Sequence, residues 1–188
     1  MTADAKPPTA IEPATGLEYP IRVLFLCTGN SARSQIAEAL MTKKGGDRFV
    51  VASAGTTPAT RVRDEAIAAL HAVGIDWSAA TPKSIDQVVE RTWDLVITLC
   101  DRSRESCVNL PARPVTAHWG VPDPVATGPA SIRRNAFDDT VALLSWRIDL
   151  MLALRPDLLE KLVLEERLRE LAGAFPPPPQ QAPTSGVR

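Results

Sequence analysis

Cys27 and Arg33 stand six positions apart, separated by Thr28, Gly29, Asn30, Ser31 and Ala32. Side chains this short, with a glycine among them, let a backbone curl tightly and aim several N–H groups inward at one point. Arg33 adds a planar fork that fits two oxygens of a tetrahedral oxyanion. The same positive surroundings favour Cys27 as a thiolate, which is the nucleophilic form of the side chain. Ser34 can donate a further hydrogen bond to that sulfur. The alternative is a buried cysteine in an ordinary strand-to-helix turn. A β-rich run before the segment and a helical pattern after it favour the oxyanion nest.

Two further thiols, Cys100 and Cys107, are separated by Asp-Arg-Ser-Arg-Glu-Ser. That gap is too wide for a zinc hairpin, which takes two to four intervening residues, and the chain has too few other ligands to complete such a site. No bound metal or cofactor is expected. The polar residues between the two thiols suit a loop that can rearrange, and Arg102 and Arg104 stand where they favour thiolates. A bridge between two cysteines needs Cα atoms within about 7 Å, so the loop must fold or move to make one. Asp123 lies between Pro122 and Pro124. By itself an aspartate there reads as a turn residue. His118 reads as a strand-end residue satisfied by the backbone.

These residues need a frame. Residues 21–26 (IRVLFL) form a short apolar run suited to a strand buried on both faces. Residues 34–43 read as a helix and residues 49–53 as a strand ending near Gly55. Residues 63–73 are helical up to Gly74, and 84–90 form a short helix candidate. Residues 95–99 (LVITL) make a third buried strand and 115–118 a fourth. Phe137, Val141, Leu144, Ile148 and Met151 step by three and four, so 134–154 is an amphipathic helix. Pro156 breaks it. A further helix follows over 157–172. The alternation predicts one α/β domain, a four-stranded parallel sheet with helices on both faces plus an extra C-terminal helix. Ligands of such sheets bind beyond the carboxyl ends of the strands, where Cys27, Cys100 and Cys107 all fall.

The 188 residues leave room for one sizeable core and two tails. Nine of the 17 prolines lie in residues 1–20 and 173–188, which read as disordered tails around a domain at 21–154 and an additional helix at 155–172. A net charge of −1 argues against a broad footprint for nucleic acid or an anionic membrane. No run is apolar enough to span a bilayer or serve as a secretory signal, so a cytoplasmic location is expected. In that reducing compartment three cysteines argue against structural disulfides.

The segment CTGNSARSQ resembles the low-molecular-weight phosphotyrosine phosphatase superfamily, and its wording is closer to the arsenate reductases derived from that fold than to the tyrosine phosphatases. The resemblance covers roughly residues 21–154. It implies oxyanion binding by Thr28, Gly29, Asn30, Ser31, Ala32 and Ser34, catalysis by Cys27 and Arg33, and a general-acid role for Asp123 of the Asp-Pro pair. Tyrosine phosphatases of this fold generally carry a tyrosine directly after that pair, whereas Val125 and Ala126 follow here. Cys100 and Cys107 resemble the redox pair of thioredoxin-coupled arsenate reductases in position and spacing.

The implied reaction is reduction of arsenate through a three-cysteine relay, with an external thiol reductant: thioredoxin, or a small thiol with glutaredoxin. A low-molecular-weight tyrosine phosphatase would give Cys100 and Cys107 no role, and a non-catalytic oxyanion sensor would give none to Asp123. Some members of the family also hold potassium beside the nest. Asn30, Glu38 and Ser53 match three of its ligand positions, and the fourth, an aspartate there, aligns with Lys83. That lysine could put its ammonium in the cation's place, or it could be a surface residue opening a helix.

Overall fold

A computed structural model describes residues 20–105, 110, 114–126, 128–154 and 161–175. The expected tails lie almost wholly outside these residues, as does Cys107. The sheet has four parallel strands in the order β2-β1-β3-β4: β1 (Ile21–Cys27), β2 (Phe49–Gly55), β3 (Leu95–Thr98) and β4 (Val115–His118). β1 and β3 are central, and β3 is buried along its whole length, as the unbroken apolar runs require.

Helices α1 (Arg33–Gly45), α2 (Asp64–Ala72), α3 (Asp101–Glu105), α4 (Ala130–Ala153) and α5 (Lys161–Glu170) complete the domain. Both faces of the sheet are covered, but unequally. Ile36 and Leu40 of α1, Ala66 and Leu70 of α2, Phe137, Leu144 and Ile148 of α4, and Leu164 and Leu168 of α5 belong to one core with Val23, Phe25 and Ile97. Leu24, Leu26 and Val96 face a smaller cluster closed by Val88 and Trp93. The five apolar positions that predict α4 are all buried. Lys44, in the last turn of α1, ties this helix to α4 through Asp149 at 2.6 Å and Ser145 at 2.7 Å.

Three local readings differ. The short helix expected at 84–90 is a 3-10 turn, Ile85–Gln87, whose capping box closes on Ser84 and Gln87. The loop expected after Cys100 begins as α3. α4 starts at Ala130, four residues before the expected 134, directly after Pro129, whose extended backbone forms its N-cap. Among the described residues no helix is long and apolar enough to cross a membrane.

Candidate active site

β1 delivers Cys27 to the carboxyl edge of the sheet, and the chain turns through residues 28–32 into α1. The carbonyls of this turn point outward. Those of Cys27, Thr28, Gly29 and Ser31 accept from the amides of Thr56, Thr57, Ala59 and Arg63 at 2.8–3.3 Å. Carbonyls held on the outside leave the N–H groups of the loop free to face inward, as that of Asn30 does. Asn30 adopts φ 45°, a left-handed conformation that asparagine tolerates. Its backbone N–H donates to Cys27 Sγ at 3.2 Å. Gly55 makes the close packing possible: a Cβ there would lie 2.6 Å from the Thr28 carbonyl oxygen and 2.9 Å from the Asn30 nitrogen.

Asn30 also organises the side chains behind the loop. Its Nδ2 donates to Ser34 Oγ at 2.8 Å and Ser53 Oγ at 2.7 Å, and its Oδ1 accepts from the Lys83 amide at 2.6 Å and Gln35 Nε2 at 3.0 Å. Every donor and acceptor of this buried amide is used, so its orientation is fixed. Ser53 donates to Glu38 Oε2 at 2.6 Å, and Lys83 Nζ donates to the same oxygen at 2.9 Å. Ser34 Oγ, which accepts from Asn30, also lies 2.9 Å from Cys27 Sγ, where it can donate to the thiolate form of that sulfur. The four residues of the expected cation region, Asn30, Glu38, Ser53 and Lys83, are therefore one network. An ammonium already sits against its carboxylate, so this donor set does not fit an added potassium ion.

Arg33, at the start of α1, donates through Nη1 to the Val121 carbonyl at 3.1 Å and through Nη2 to Asp123 Oδ2 at 3.1 Å. Asp123 Oδ1 accepts from the Val125 amide at 3.1 Å. Arg33 thus joins the nest to the loop that carries Asp123.

Cys100 follows β3. Its Sγ lies 3.3 Å from Thr28 Oγ1 and 3.3 Å from Ser103 Oγ. Burial pushes this thiol up, but the hydrogen bonds of Ser103 and Thr28 and the charge of Arg33 outweigh it, so the pKa is lowered. Arg102 is not among the causes, contrary to the expectation from sequence, and the Arg104 side chain lies outside the described residues. His118 is engaged by side chains: Nδ1 lies 2.8 Å from Thr98 Oγ1 and Nε2 lies 3.3 Å from Asp101. Cys27, Arg33, Arg63, Cys100, Arg102 and Asp123 line one cavity of about 380 Å³. Val125 forms part of its wall. Among the described residues no three His, Cys, Asp or Glu side chains are gathered as a metal site needs.

The structure brings together all the expected site residues except Cys107, whose position is outside the described residues. Four contributors had no chemical signature in the sequence. Gly55 and the 55–63 segment support the nest, Gln35 braces Asn30 and is itself held by Trp77 Nε1 at 2.7 Å, and Ser103 serves Cys100. Only Gly55, at the end of an apolar strand, left a readable sign.

The family model for low molecular weight phosphotyrosine protein phosphatase matches residues 22–163. An arsenate reductase of Halalkalibacterium halodurans is 43% identical over 102 residues, which are 54% of this chain and 73% of that protein. An arsenate reductase solved in a phosphate-binding state is 30% identical, with a TM-score of 0.58 over 71% of this chain and 98% of its own. A low molecular weight protein tyrosine phosphatase from T. tengcongensis is 26% identical, with a TM-score of 0.61 over 71% of this chain and 99% of its own. A thioredoxin-dependent arsenate reductase from Corynebacterium glutamicum is 30% identical, with a TM-score of 0.51 over 69% of this chain and 62% of its own.

Proposed function

The chain belongs to the low molecular weight phosphotyrosine protein phosphatase family, and on that premise we propose that it reduces arsenate to arsenite through Cys27, Cys100 and Cys107. The observation that carries this reading is the second thiol. Cys100 lines the same cavity as the nucleophile and touches the nest through Thr28. A phosphatase uses one thiol, whereas a two-electron reductant needs at least two. The arsenate reductases among its relatives support the choice of substrate.

Arsenate binds in the nest, held by the inward N–H groups and Arg33. Cys27 attacks arsenic, and Asp123 gives a proton to the departing oxygen, which leaves as water. Cys100 then attacks Cys27 Sγ. A sulfur–sulfur bond forms, the sulfur–arsenic bond breaks, and its electron pair stays on arsenic, which leaves as arsenite. Cys107 attacks Cys100 and frees Cys27 as a thiolate. The resulting Cys100–Cys107 disulfide is reduced by an external thiol system, thioredoxin or a small thiol with glutaredoxin, and the C. glutamicum relative, itself thioredoxin-dependent, supports the first. Such a cycle belongs in the cytoplasm, where thiols are kept reduced. Behind the nest, the Lys83 ammonium serves as a built-in cation for Glu38.

Reduced protein mixed with arsenate in the absence of any reductant tests the scheme. The wild type should release one arsenite per chain. Cys27→Ser and Cys100→Ser should release none. Cys107→Ser should release one and then fail to turn over with thioredoxin. Full turnover by Cys107→Ser would remove the third thiol from the relay. Efficient phosphotyrosine hydrolysis without arsenite release would replace the reading with a phosphatase.

A further inference from the structure

Arg147 is a guanidinium that the mechanism does not use, and it is only 1% exposed. It projects from α4 and donates to three backbone carbonyls: Trp119 through Nη1, Ala172 through Nη2 at 2.6 Å and Ala174 through Nε at 3.4 Å. Two of those carbonyls belong to the stretch directly after α5. The dipoles of these three carbonyls match the buried cation, since none of these partners is a carboxylate. Burial lowers the pKa of Arg147.

The third carbonyl stands at the start of the stretch that leads to Asp123. Trp119 follows β4, is fully buried, and returns the tie by donating from Nε1 to the Leu168 carbonyl of α5 at 3.0 Å. Its ring packs against Phe25 of β1 with centroids 6.1 Å apart. Four residues on comes Asp123. Between them, Gly120 turns through φ 39° and the Val121 amide bonds to the Leu99 carbonyl at 2.9 Å. Besides this bond and that of the Trp119 amide to the Thr98 carbonyl at 2.9 Å, the acid loop has two anchors made by side chains. Arg33 holds its far end, and Arg147 and Leu168 hold its beginning. The family match ends at residue 163, whereas α5 runs from Lys161 to Glu170. The second anchor therefore depends on chain beyond the part that matches the family.

We propose that α5 and the turn after it, acting through Arg147 and Trp119, are positioning elements for proton delivery: they fix the start of the loop that presents Asp123. Removing the anchor leaves the nest intact and lets the carboxyl wander from the departing oxygen. The proposal rests on Asp123 being the general acid, and the test separates the two.

Arsenite release is followed in a single turnover of the reduced full-length protein, across arsenate concentrations and without external reductant. Arg147→Met keeps the aliphatic stem and loses the carbonyl anchors. Trp119→Phe keeps an aromatic ring against Phe25 and loses the bond to Leu168, so it carries the test if Arg147→Met does not fold. Asp123→Asn should slow release on the order of 100-fold or more, the scale of a lost general acid. Either anchor variant should slow it several-fold while half-saturation by arsenate moves less than about twofold, because proton delivery is impaired and the nest is not. In the Asp123→Asn background the same anchor variant should cost less than a further factor of about two, since nothing remains to position. A wild-type rate in both anchor variants overturns the proposal and leaves Asp123 its role. So does an undiminished loss in the Asp123→Asn background, which marks a general structural effect. A wild-type rate for Asp123→Asn removes the acid and the anchor together.

Discussion

Residues with no reactive group decide whether Cys27 works. Gly55 touches the nest from the neighbouring strand, and its hydrogen is all the space allows. Gly55→Ala pushes a methyl group against the Thr28 carbonyl, whose partner Thr57 holds it in place. Overpacking of this kind costs about 1–3 kcal/mol. Denaturant melts should show that loss, and half-saturation by arsenate should rise because the shifted backbone is the binding surface. An unchanged arsenate affinity would mean that the nest does not feel β2. Ser103 sets the reactivity of the second thiol. It favours the Cys100 thiolate, so the step that joins Cys100 to Cys27 should accelerate with rising pH and level off below the usual thiol range. Ser103→Ala removes that support, raises the Cys100 pKa and moves the profile to higher pH. The rate of thiol loss in a single turnover, followed against pH, measures the displacement. No displacement would assign the lowered pKa to Thr28 and Arg33 alone.

Elements carry the next level, and they were unequally legible. Strands buried on both faces leave continuous apolar runs, so β1 and β3 could be placed to within a residue. α4 could be read from its stripe, but its first turn, directly after Pro129, has no stripe to read. Residues 101–105 are short and polar, so only tertiary contacts such as Ser103 to the Leu26 carbonyl at 3.3 Å single them out as a helix. The nest and the thiols were legible because chemistry restricts residue types. The segment 55–63 was not, because it works through backbone amides that any residue supplies.

The segment before Ile85 shows how an element can carry both kinds of signal. Lys83 gives its amide to Asn30 and its ammonium to Glu38, and so joins β2, α1 and the nest. Lys83→Met strands a carboxylate that is 11% exposed. The lysine itself is 31% exposed, so solvent moderates the loss to about 1–3 kcal/mol, below that of a fully buried pair. Thermal or denaturant unfolding should record it, together with a raised half-saturation for arsenate. Because the cation is covalently attached, wild-type rates in sodium and potassium salts of equal ionic strength should agree. Lys83→Asp should introduce a preference for potassium. A wild-type enzyme activated several-fold by potassium would contradict the assignment of Lys83.

At the scale of the whole molecule the charges nearly cancel, with 21 Lys and Arg against 22 Asp and Glu. A nearly neutral protein does not draw a dianion from afar, so attraction has to come from local charge. The cavity mouth provides it. Arg63 and Arg102 join Arg33 around the opening, where Asp123 is the one carboxylate among the described lining residues. Both outer arginines are exposed, so salt screens them readily. Raising ionic strength from roughly 0.01 M to 0.15 M shortens the Debye length from about 30 Å to about 8 Å. The apparent second-order rate constant for arsenate should fall several-fold over that range, while the maximal rate stays level, because steering acts on encounter and leaves the bound state alone. Arg63→Gln combined with Arg102→Gln should lower the second-order constant at low salt and flatten its dependence on salt. The nest keeps its form in this variant, because the bond from residue 63 to Ser31 is made by the backbone amide. Stopped-flow measurement of arsenate binding across salt concentrations distinguishes the possibilities. A salt dependence as steep in the double variant as in the wild type would place the attraction on Arg33 and the loop amides alone.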